Sequence, residues 1–169
     1  MAKKDVPEVR WDWIWALNPL VIITTIDSEG IVNAAPFGMC MRLSHKPLMI
    51  GFSVNQKWHT RKNIKETGEF VVNIPSENRE TLKKIMITAT HFPPKVNELD
   101  EAGFLSLPSR KIRPPRVEQC KAHFECKVDW TREISNHTLV VGNVLAVSVD
   151  EDCITDNFEL IIRPPSEQS

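Results

Sequence analysis

The sequence lacks the residue patterns that identify several large classes of enzyme. Its 169 residues include only six glycines, and these form neither GxGxxG nor a P-loop, so a Rossmann or Walker phosphate site is excluded. No G-x-S-x-G elbow of the α/β-hydrolase type is present. The five histidines show neither HxH nor HExxH spacing, so a metal hydrolase has little support.

Further absences concern cysteine pairs, long apolar runs and net charge. No CxxC pair occurs, so we expect four reduced thiols in a cytoplasmic protein. These cysteines are Cys40, Cys120, Cys126 and Cys153. No apolar run approaches the roughly 20 residues that span a bilayer, and the N-terminal MAKKDVPEVRWDW lacks the apolar core of a signal peptide. The net charge of −1 argues against a nucleic acid or a membrane surface as the partner.

What is present is a series of short β-branched segments separated by turns, which predicts a mostly-β domain with peripheral helices. Before residue 55 the segments follow one another without a helix, which is typical of an antiparallel meander, and Pro36 is expected to break its ladder. The predicted strands are 20–26, 31–35, 37–43, 48–54, 70–74, 122–128 and 137–149. The strand at 122–128 alternates with period two, and the last strand is apolar on both faces, so we expect burial on both sides.

Outside the strands, the sequence predicts a second helix and several unusual segments. Ser76 is expected to cap a helix that runs to about residue 89. Its apolar face comprises Leu82, Ile85, Met86 and Ala89. The long irregular span 90–118 is of a kind that tends to be functional or to wrap a neighbour. The tryptophan-rich residues 11–15 should pack on the protein's own barrel or on a partner subunit, and the residues after 163 should form a disordered tail.

Residues 48–75 contain the main candidate site, a strand followed by a short helix and a second strand. Thr60 is predicted to cap the helix N-terminus and Gly68 to end it. A helix N-terminus binds anions, and Lys57, Arg61 and Lys62 add positive charge there. Two interpretations remain open from these residues alone: a phosphate cradle, or a solvated basic helix with an ordinary cap.

Several motifs occur together in an order that resembles the flavin reductase-like family of FMN-binding split barrels. The matching elements are NAAPF at 33–37, T-x-x-NI-x-x-TGEFVVN at 60–73 and HT-x-x-VG at 137–142. The resemblance covers most of residues 19–152. It implies a Greek-key antiparallel split β-barrel, one domain over 1–169 with a core at about 18–152, and FMN as the cofactor.

The resemblance also implies roles for individual residues. Thr25 and the segment 33–37 would approach the flavin ring and ribityl chain, and the backbone of Asn33, Ala34 and Ala35 would bond the pyrimidine edge. His137 would lie near the face where a nicotinamide stacks; alternatively, it is a strand-end residue in a subunit contact. The full set of implied binding residues is Thr25, Asn33, Ala34, Ala35, Pro36, Phe37, Ser53, Val54, Asn55, Thr60, Arg61, Lys62 and Asn63, with the last four at the phosphate.

The sequence departs from the family pattern at two places. Gly38-Met39-Cys40 replaces the aromatic or hydroxyl pair that often follows AAPF, and the C-terminus ends at Ile162-Arg163-Pro164-Pro165 without an Arg-x-Gly-Gly-x-Tyr-like segment. The chain also has no tyrosine to stack on a flavin. The donor side of the site is therefore expected to be more open or to be completed by another chain.

These features together predict an FMN-dependent oxidoreductase that takes electrons from NAD(P)H, in a homodimer that binds FMN between its subunits. Two alternatives remain. One is a flavoredoxin-like electron carrier that is reduced by a redox partner protein, and the other is a non-enzymatic β-barrel binding protein.

Overall fold

Seven strands form one antiparallel sheet in the computed structural model, which describes residues 20–76 and 78–157. The strands are β1 (Val21–Ile26), β2 (Val32–Phe37), β3 (Cys40–His45), β4 (Leu48–Asn55), β5 (Glu69–Pro75), β6 (Ser106–Leu107), β7 (Arg116–Val117), β8 (Cys120–Ile134) and β9 (His137–Val149). The helices are α1 (His59–Thr67), α2 (Arg79–Thr88) and α3 (Glu98–Glu101), and a 3₁₀ turn occupies Glu151–Cys153. The main sheet has the order β2-β1-β5-β8-β9-β4-β3, while β6 and β7 pair separately.

The sheet coils around a single apolar core and so forms a split barrel. Side chains from strands far apart in the sheet belong to this core, including Ile23 of β1, Phe52 of β4 and Val140 of β9. Phe37, on one edge strand, contacts Phe52 across the interior at 5.2 Å between ring centroids. The two edge strands, β2 and β3, are not hydrogen-bonded neighbours, so the barrel is open between them. The fold class predicted from the sequence is confirmed.

A second apolar cluster covers the outside of the barrel next to β1 and β2. Ile22 of β1 packs there with Ile85 of α2 and with Leu99, Ala102 and Phe104 in and after α3. All six residues of β1 are consequently buried, since this strand has the barrel core on one face and the helices on the other. The cluster fixes α2 and α3 beside the outer edge of β2.

The predicted meander is wrong in its pairing. β1 pairs with β2 and with β5, whereas β3 pairs with β4 at the opposite edge of the sheet. Two hairpins are therefore joined by the short connection at Gly38, which bridges the opening of the barrel. Pro36 does not break the ladder, because it lies opposite Ile22 in an edge strand where the missing N–H faces away from β1.

The predicted cap and apolar face of the second helix are also wrong. Asn78 caps α2 by accepting a hydrogen bond from Thr81 N at 2.8 Å, whereas Ser76 donates its hydroxyl to the Gln119 carbonyl. Ile85 is buried as predicted, but Leu82 and Met86 are 49% and 67% exposed. The residues that α2 buries beside Ile85 are Thr81 and Thr88.

The two long strands differ from expectation in extent and in burial. On β8, His123 and Glu125 are buried although the alternation places them on the solvent face. The reason is that the irregular segment before β8 covers them: Glu125 accepts hydrogen bonds from Arg110 N and Lys111 N. On β9, burial is confined to its first half, since Leu145 and Val147 are 45% and 46% exposed.

Several other expectations have a clear outcome. All four cysteines are free thiols, as predicted. Within the described residues no helix is both long and apolar enough to cross a bilayer. The tryptophan-rich segment 11–15 and the tail after 163 lie outside the described residues, so the predictions for them remain untested.

Candidate functional site

A cavity of about 210 Å³ lies between the edge strand β2, the N-terminus of α1 and the residues that follow α2. Four of the predicted site residues line it: Asn33, Ala35, Pro36 and Thr60. Trp58, whose side chain is 44% exposed, adds an aromatic wall beside Ala35 and Pro36. Part of the motif NAAPF and the start of α1 therefore lie in the wall of one cavity, and their contacts with a flavin stay a prediction.

The N-terminus of α1 differs from the sequence prediction in its cap. The N-cap residue is Trp58, which makes no side-chain capping bond, and the first turn contains no acidic residue. Thr60 lies inside the helix, and its hydroxyl accepts a hydrogen bond from Asn33 Nδ2 at 3.0 Å. The first backbone N–H groups of α1 are therefore not bonded by a capping side chain. They form the positive end of the helix dipole. Gly68 ends the helix at φ 67°, as predicted.

Buried amide–hydroxyl pairs fix α1 against the two strands of the first hairpin. Asn63 Nδ2 donates to Thr25 Oγ1 at 3.1 Å, one turn along the helix from the bond between Asn33 and Thr60. All four residues are at most 6% exposed. Because a buried polar group without a partner is costly, these bonds determine how the start of α1 lies on β2. Thr25 and Asn63 thus do not line the first cavity but hold α1 in position beside it.

A carboxylate and two histidines complete the cavity, and none of them was predicted. Glu98 lines the cavity with His59 and His91. Its Oε2 accepts the backbone N–H of Ala34 at 2.9 Å, and its Oε1 lies 3.8 Å from His59 Nδ1. The Ala34 N–H therefore already has an acceptor, and its proposed bond to the pyrimidine edge stays a prediction.

Burial changes the protonation of this cluster. It raises the pKa of Glu98 to about 7, although the hydrogen bond from Ala34 partly opposes the shift. It lowers the pKa of His59, and the nearby His91 and Lys62 lower that pKa further. The rings of His59 and His91 are 5.7 Å apart between centroids. Glu98 therefore holds its proton to a higher pH than an exposed glutamate does, and His59 stays neutral to a lower pH than an exposed histidine does.

A second cavity of about 110 Å³ adjoins the first, and Glu98, His59 and Asn33 line both. Lys62 and Asn63 of α1 line the second cavity, opposite Lys95 of the loop before α3. Lys62 is paired with Glu66 at 3.7 Å, and Lys95 with Glu29 at 3.2 Å. Lys62 and Asn63 are the predicted phosphate residues that line the second cavity, and the Lys62 side chain is 66% exposed.

The remaining predicted residues lie outside the lining of both cavities. Ala34, Phe37 and Val54 are buried in the two apolar clusters. Arg61 donates to Thr138 Oγ1 at 2.9 Å, so it is directed toward β9. Ser53, Asn55 and His137 lie where β4 pairs with the start of β9. Their proposed contacts with a flavin remain predictions.

Comparison with known proteins places this architecture in one family. The sequence matches the flavin reductase like domain over residues 17–160, and the chain belongs to that family. An uncharacterized protein of Aquifex aeolicus is 32% identical over 148 residues, which are 85% of this chain and 74% of the relative.

Two solved structures are similar to the whole fold. The 2-nitrobenzoate 2-nitroreductase NbaA of Pseudomonas fluorescens has a TM-score of 0.80 and 25% identity, covering 95% of this chain and 81% of NbaA. The flavoredoxin of Desulfovibrio vulgaris has a TM-score of 0.77 and 23% identity, covering 86% of this chain and 76% of that protein. The flavoredoxin similarity therefore concerns the fold alone.

Proposed function

We propose that this protein binds FMN at the cavity beside α1 and uses it to transfer electrons from NAD(P)H to an acceptor. The observation that carries the proposal is the N-terminus of α1, which has no capping side chain and no acidic residue in its first turn. It meets a cavity walled by Ala35, Pro36 and Trp58. The helix end suits a phosphate, and the apolar wall suits a flat conjugated ring.

The size of the cavity supports a site that is shared between two copies of the chain. Its volume of about 210 Å³ is below the roughly 300–1,000 Å³ of pockets that enclose a drug-sized ligand. Only part of an FMN molecule fits, so the rest must lie on the open surface or beneath a second subunit. A homodimer supplies that cover. Light scattering should then give about twice the chain mass of 19.3 kDa, and a clean monomer would remove the shared-site proposal.

Bound FMN supplies a centre that accepts a hydride from a nicotinamide and passes electrons on. The chain's own residues bind and orient it. The bonds from Asn33 to Thr60 and from Asn63 to Thr25 hold the start of α1 at a fixed position relative to Ala35 and Pro36. The distance between the phosphate site and the ring wall is thereby set before the ligand binds.

The test separates the phosphate from the ring by titrating both FMN and riboflavin, with fluorescence quenching as the signal. Lys62→Ala removes a cation at the start of α1, and Lys65→Ala removes a matched exposed cation from its last turn. A charge-assisted bond is worth about 1.5–3 kcal/mol, so Lys62→Ala should weaken FMN about 10- to 100-fold. Riboflavin affinity should change little in either variant.

Two results would contradict the proposal. If Lys62→Ala weakens FMN and riboflavin equally, α1 does not bind the phosphate. If the purified protein and the wild-type titrations show no flavin binding, the proposed function is wrong. Thr60→Ala is not a clean test, because it leaves the buried Asn33 amide without its acceptor and so disturbs the fold.

An electron carrier is the second candidate, because the helix N-terminus and the apolar wall that suit FMN would serve a carrier as well as a reductase. A carrier binds FMN equally well but is reduced by a redox partner protein. Aerobic oxidation of NADH and NADPH, measured with excess FMN, distinguishes the two functions. A carrier gives no oxidation above the rate of free flavin.

A further inference from the structure

We propose that Glu98 is the proton-exchanging residue of this site, binding a proton when the bound flavin is reduced and giving it to an acceptor that takes up protons with electrons. The inference rests on the proposed function. Its basis is the position of one carboxyl group in the lining of both cavities, beside His59 and with a side chain only 7% exposed.

An ionised carboxylate is costly at the position of Glu98, because the side chain is almost completely buried. A buried carboxylate is usually paired with a cation. Glu98 has one backbone N–H bond, from Ala34, and the weakly charged ring of His59 at 3.8 Å. Burial raises the pKa of Glu98 to about 7, and the hydrogen bond from Ala34 offsets that shift only in part. The group can therefore change its protonation state in response to one further charge in the cavity.

The other charged side chains that line the second cavity have partners other than Glu98. Lys62 and Lys95 are each paired with a different glutamate, and Asp27 Oδ1 accepts the N–H groups of Glu29 and Ile31. The titratable and charged groups that line the two cavities with Glu98 are His59 and Lys62 of α1, His91 and Lys95 after α2, and Asp27 and Glu29 in the turn after β1. Its own helix adds Asp100 and Glu101. His59 is the partly exposed member of the pair: its side chain is 28% exposed, and its Nδ1 lies 3.8 Å from Glu98 Oε1.

The reaction balances when Glu98 takes up one proton. Hydride transfer from NAD(P)H to a bound flavin would add two electrons and one proton to the site and would leave one extra negative charge there. Glu98 takes up a proton from solvent through His59, which cancels that charge at short range, where Coulomb interactions are strong. A quinone then gains the hydride equivalent and the Glu98 proton to become a hydroquinone. The sum is NAD(P)H + H⁺ + quinone → NAD(P)⁺ + hydroquinone.

The alternative role for Glu98 is purely structural, because its bond to Ala34 covers the edge of β2. Glu98→Gln separates the two roles, since the amide oxygen can still accept the Ala34 N–H but the side chain no longer titrates. Glu101→Gln is the matched control, because it makes the same change at an exposed position of the same helix.

The primary measurement is the midpoint potential of the bound flavin as a function of pH. Each proton taken up with two electrons contributes about 30 mV per pH unit, because a tenfold change in equilibrium constant corresponds to that potential. Just above pH 7 the wild type and Glu101→Gln should have a slope steeper than that of Glu98→Gln by up to this amount. Reduction of a quinone, relative to that of ferricyanide, should fall by about 10²-fold or more in Glu98→Gln.

A measurement on the flavin-free wild type covers the case in which Glu98→Gln does not fold. The ring resonances of His59, assigned among the five histidines with His59→Gln, should show a second inflection near pH 7 as Glu98 titrates. Equal potential slopes in all three proteins, or no such inflection, would overturn the inference while flavin binding stands. Loss of flavin binding in the wild type would instead refute the proposed function, and the inference with it.

Discussion

Gly142 occupies a position on β9 where any side chain would collide with the barrel core. A Cβ atom there would lie 2.7 Å and 2.8 Å from Cε1 and Cζ of Phe70 and 3.0 Å from the carbonyl oxygen of Lys127. Phe70 is fully buried, and the carbonyl belongs to the adjacent strand β8, so neither atom can move freely. The constraint is space rather than backbone conformation, since Gly142 is not among the glycines with positive φ.

We expect Gly142→Ala to lower the free energy of unfolding by about 1–2 kcal/mol. Overpacking a core costs roughly 1–3 kcal/mol, and the smaller conformational entropy of an unfolded chain with alanine returns about 0.4–1 kcal/mol. For a chain of this size the melting temperature should fall by about 2–8 °C. Urea unfolding followed by circular dichroism gives the free energy directly.

Gly51→Ala is the matched control, because Gly51 lies opposite Val141 in the neighbouring strand. A Cβ there would come within 2.6 Å of Leu43 Cδ1, the end of a flexible side chain that is 46% exposed. Leu43 can rotate away, so this variant should stay within about 0.5 kcal/mol of the wild type. Equal stability of the two variants would refute the reasoning.

The clash at Gly142 should also reach the candidate site. Phe70 contacts Phe52 at 5.0 Å between centroids, Phe52 contacts Phe37, and Phe37 contacts Trp58 at 6.0 Å. Trp58 lines the cavity. Flavin affinity should therefore fall in Gly142→Ala and recover in the double variant Gly142→Ala/Phe70→Leu, where the smaller side chain relieves the overlap.

Three further predictions follow from buried groups. Glu125→Ala should destabilise the fold by about 3–5 kcal/mol in urea unfolding, because it removes the acceptor of two backbone N–H groups and the carboxylate that lies 3.7 Å from Arg116. Glu118→Ala, at an exposed position, is the control and should change the free energy of unfolding little. Burial raises the pKa of Glu98 from 4.5 to about 7, so between these pH values the folded state binds a proton that the unfolded state has released. The free energy of unfolding of the wild type should therefore fall relative to that of Glu98→Gln as pH rises from 4.5 to 7. A difference between the two proteins that stays constant with pH would contradict this prediction. Burial raises the pKa of Cys40 and Cys120 to about 12, so alkylation of these two thiols should be slow in the native protein at pH 8. After unfolding without reductant, mass spectrometry should find all four cysteines alkylated, because all four are free thiols.

Local sequence signals predicted the features that depend on neighbouring residues. The turn after β1 is one example: Asp27 Oδ1 accepts the N–H groups of Glu29 and Ile31, and Gly30 has φ 87°. Gly68 is another, since the end of a short helix requires a left-handed residue. Such features are determined within a few residues, so a single sequence contains all the necessary information.

The caps failed because distant residues compete for the same hydroxyl groups. Thr60 has the right side chain for an N-cap, but Asn33, 27 positions earlier, donates to it. Ser76 likewise bonds the carbonyl of Gln119, 43 positions away, and Asn78 caps α2 instead. A propensity for capping is a local preference of about 1 kcal/mol, and one tertiary hydrogen bond to a buried amide outweighs it.

Glu98 could not be predicted because its burial is imposed by its neighbours. The segment ELDE has the composition of an exposed acidic turn, yet Leu99, Ala102 and Phe104 all pack into the cluster outside β1. Burial of these apolar side chains stabilises the fold by several kcal/mol, which exceeds the free-energy cost of burying one carboxyl group beside the edge of β2. That carboxyl meets the Ala34 N–H, 64 positions earlier, and the same packing places it against His59. An acidic group held by apolar anchors in this way has a reason to stay buried even when it binds no ligand, so the pH-dependent potential, rather than the burial itself, decides whether it acts in the chemistry.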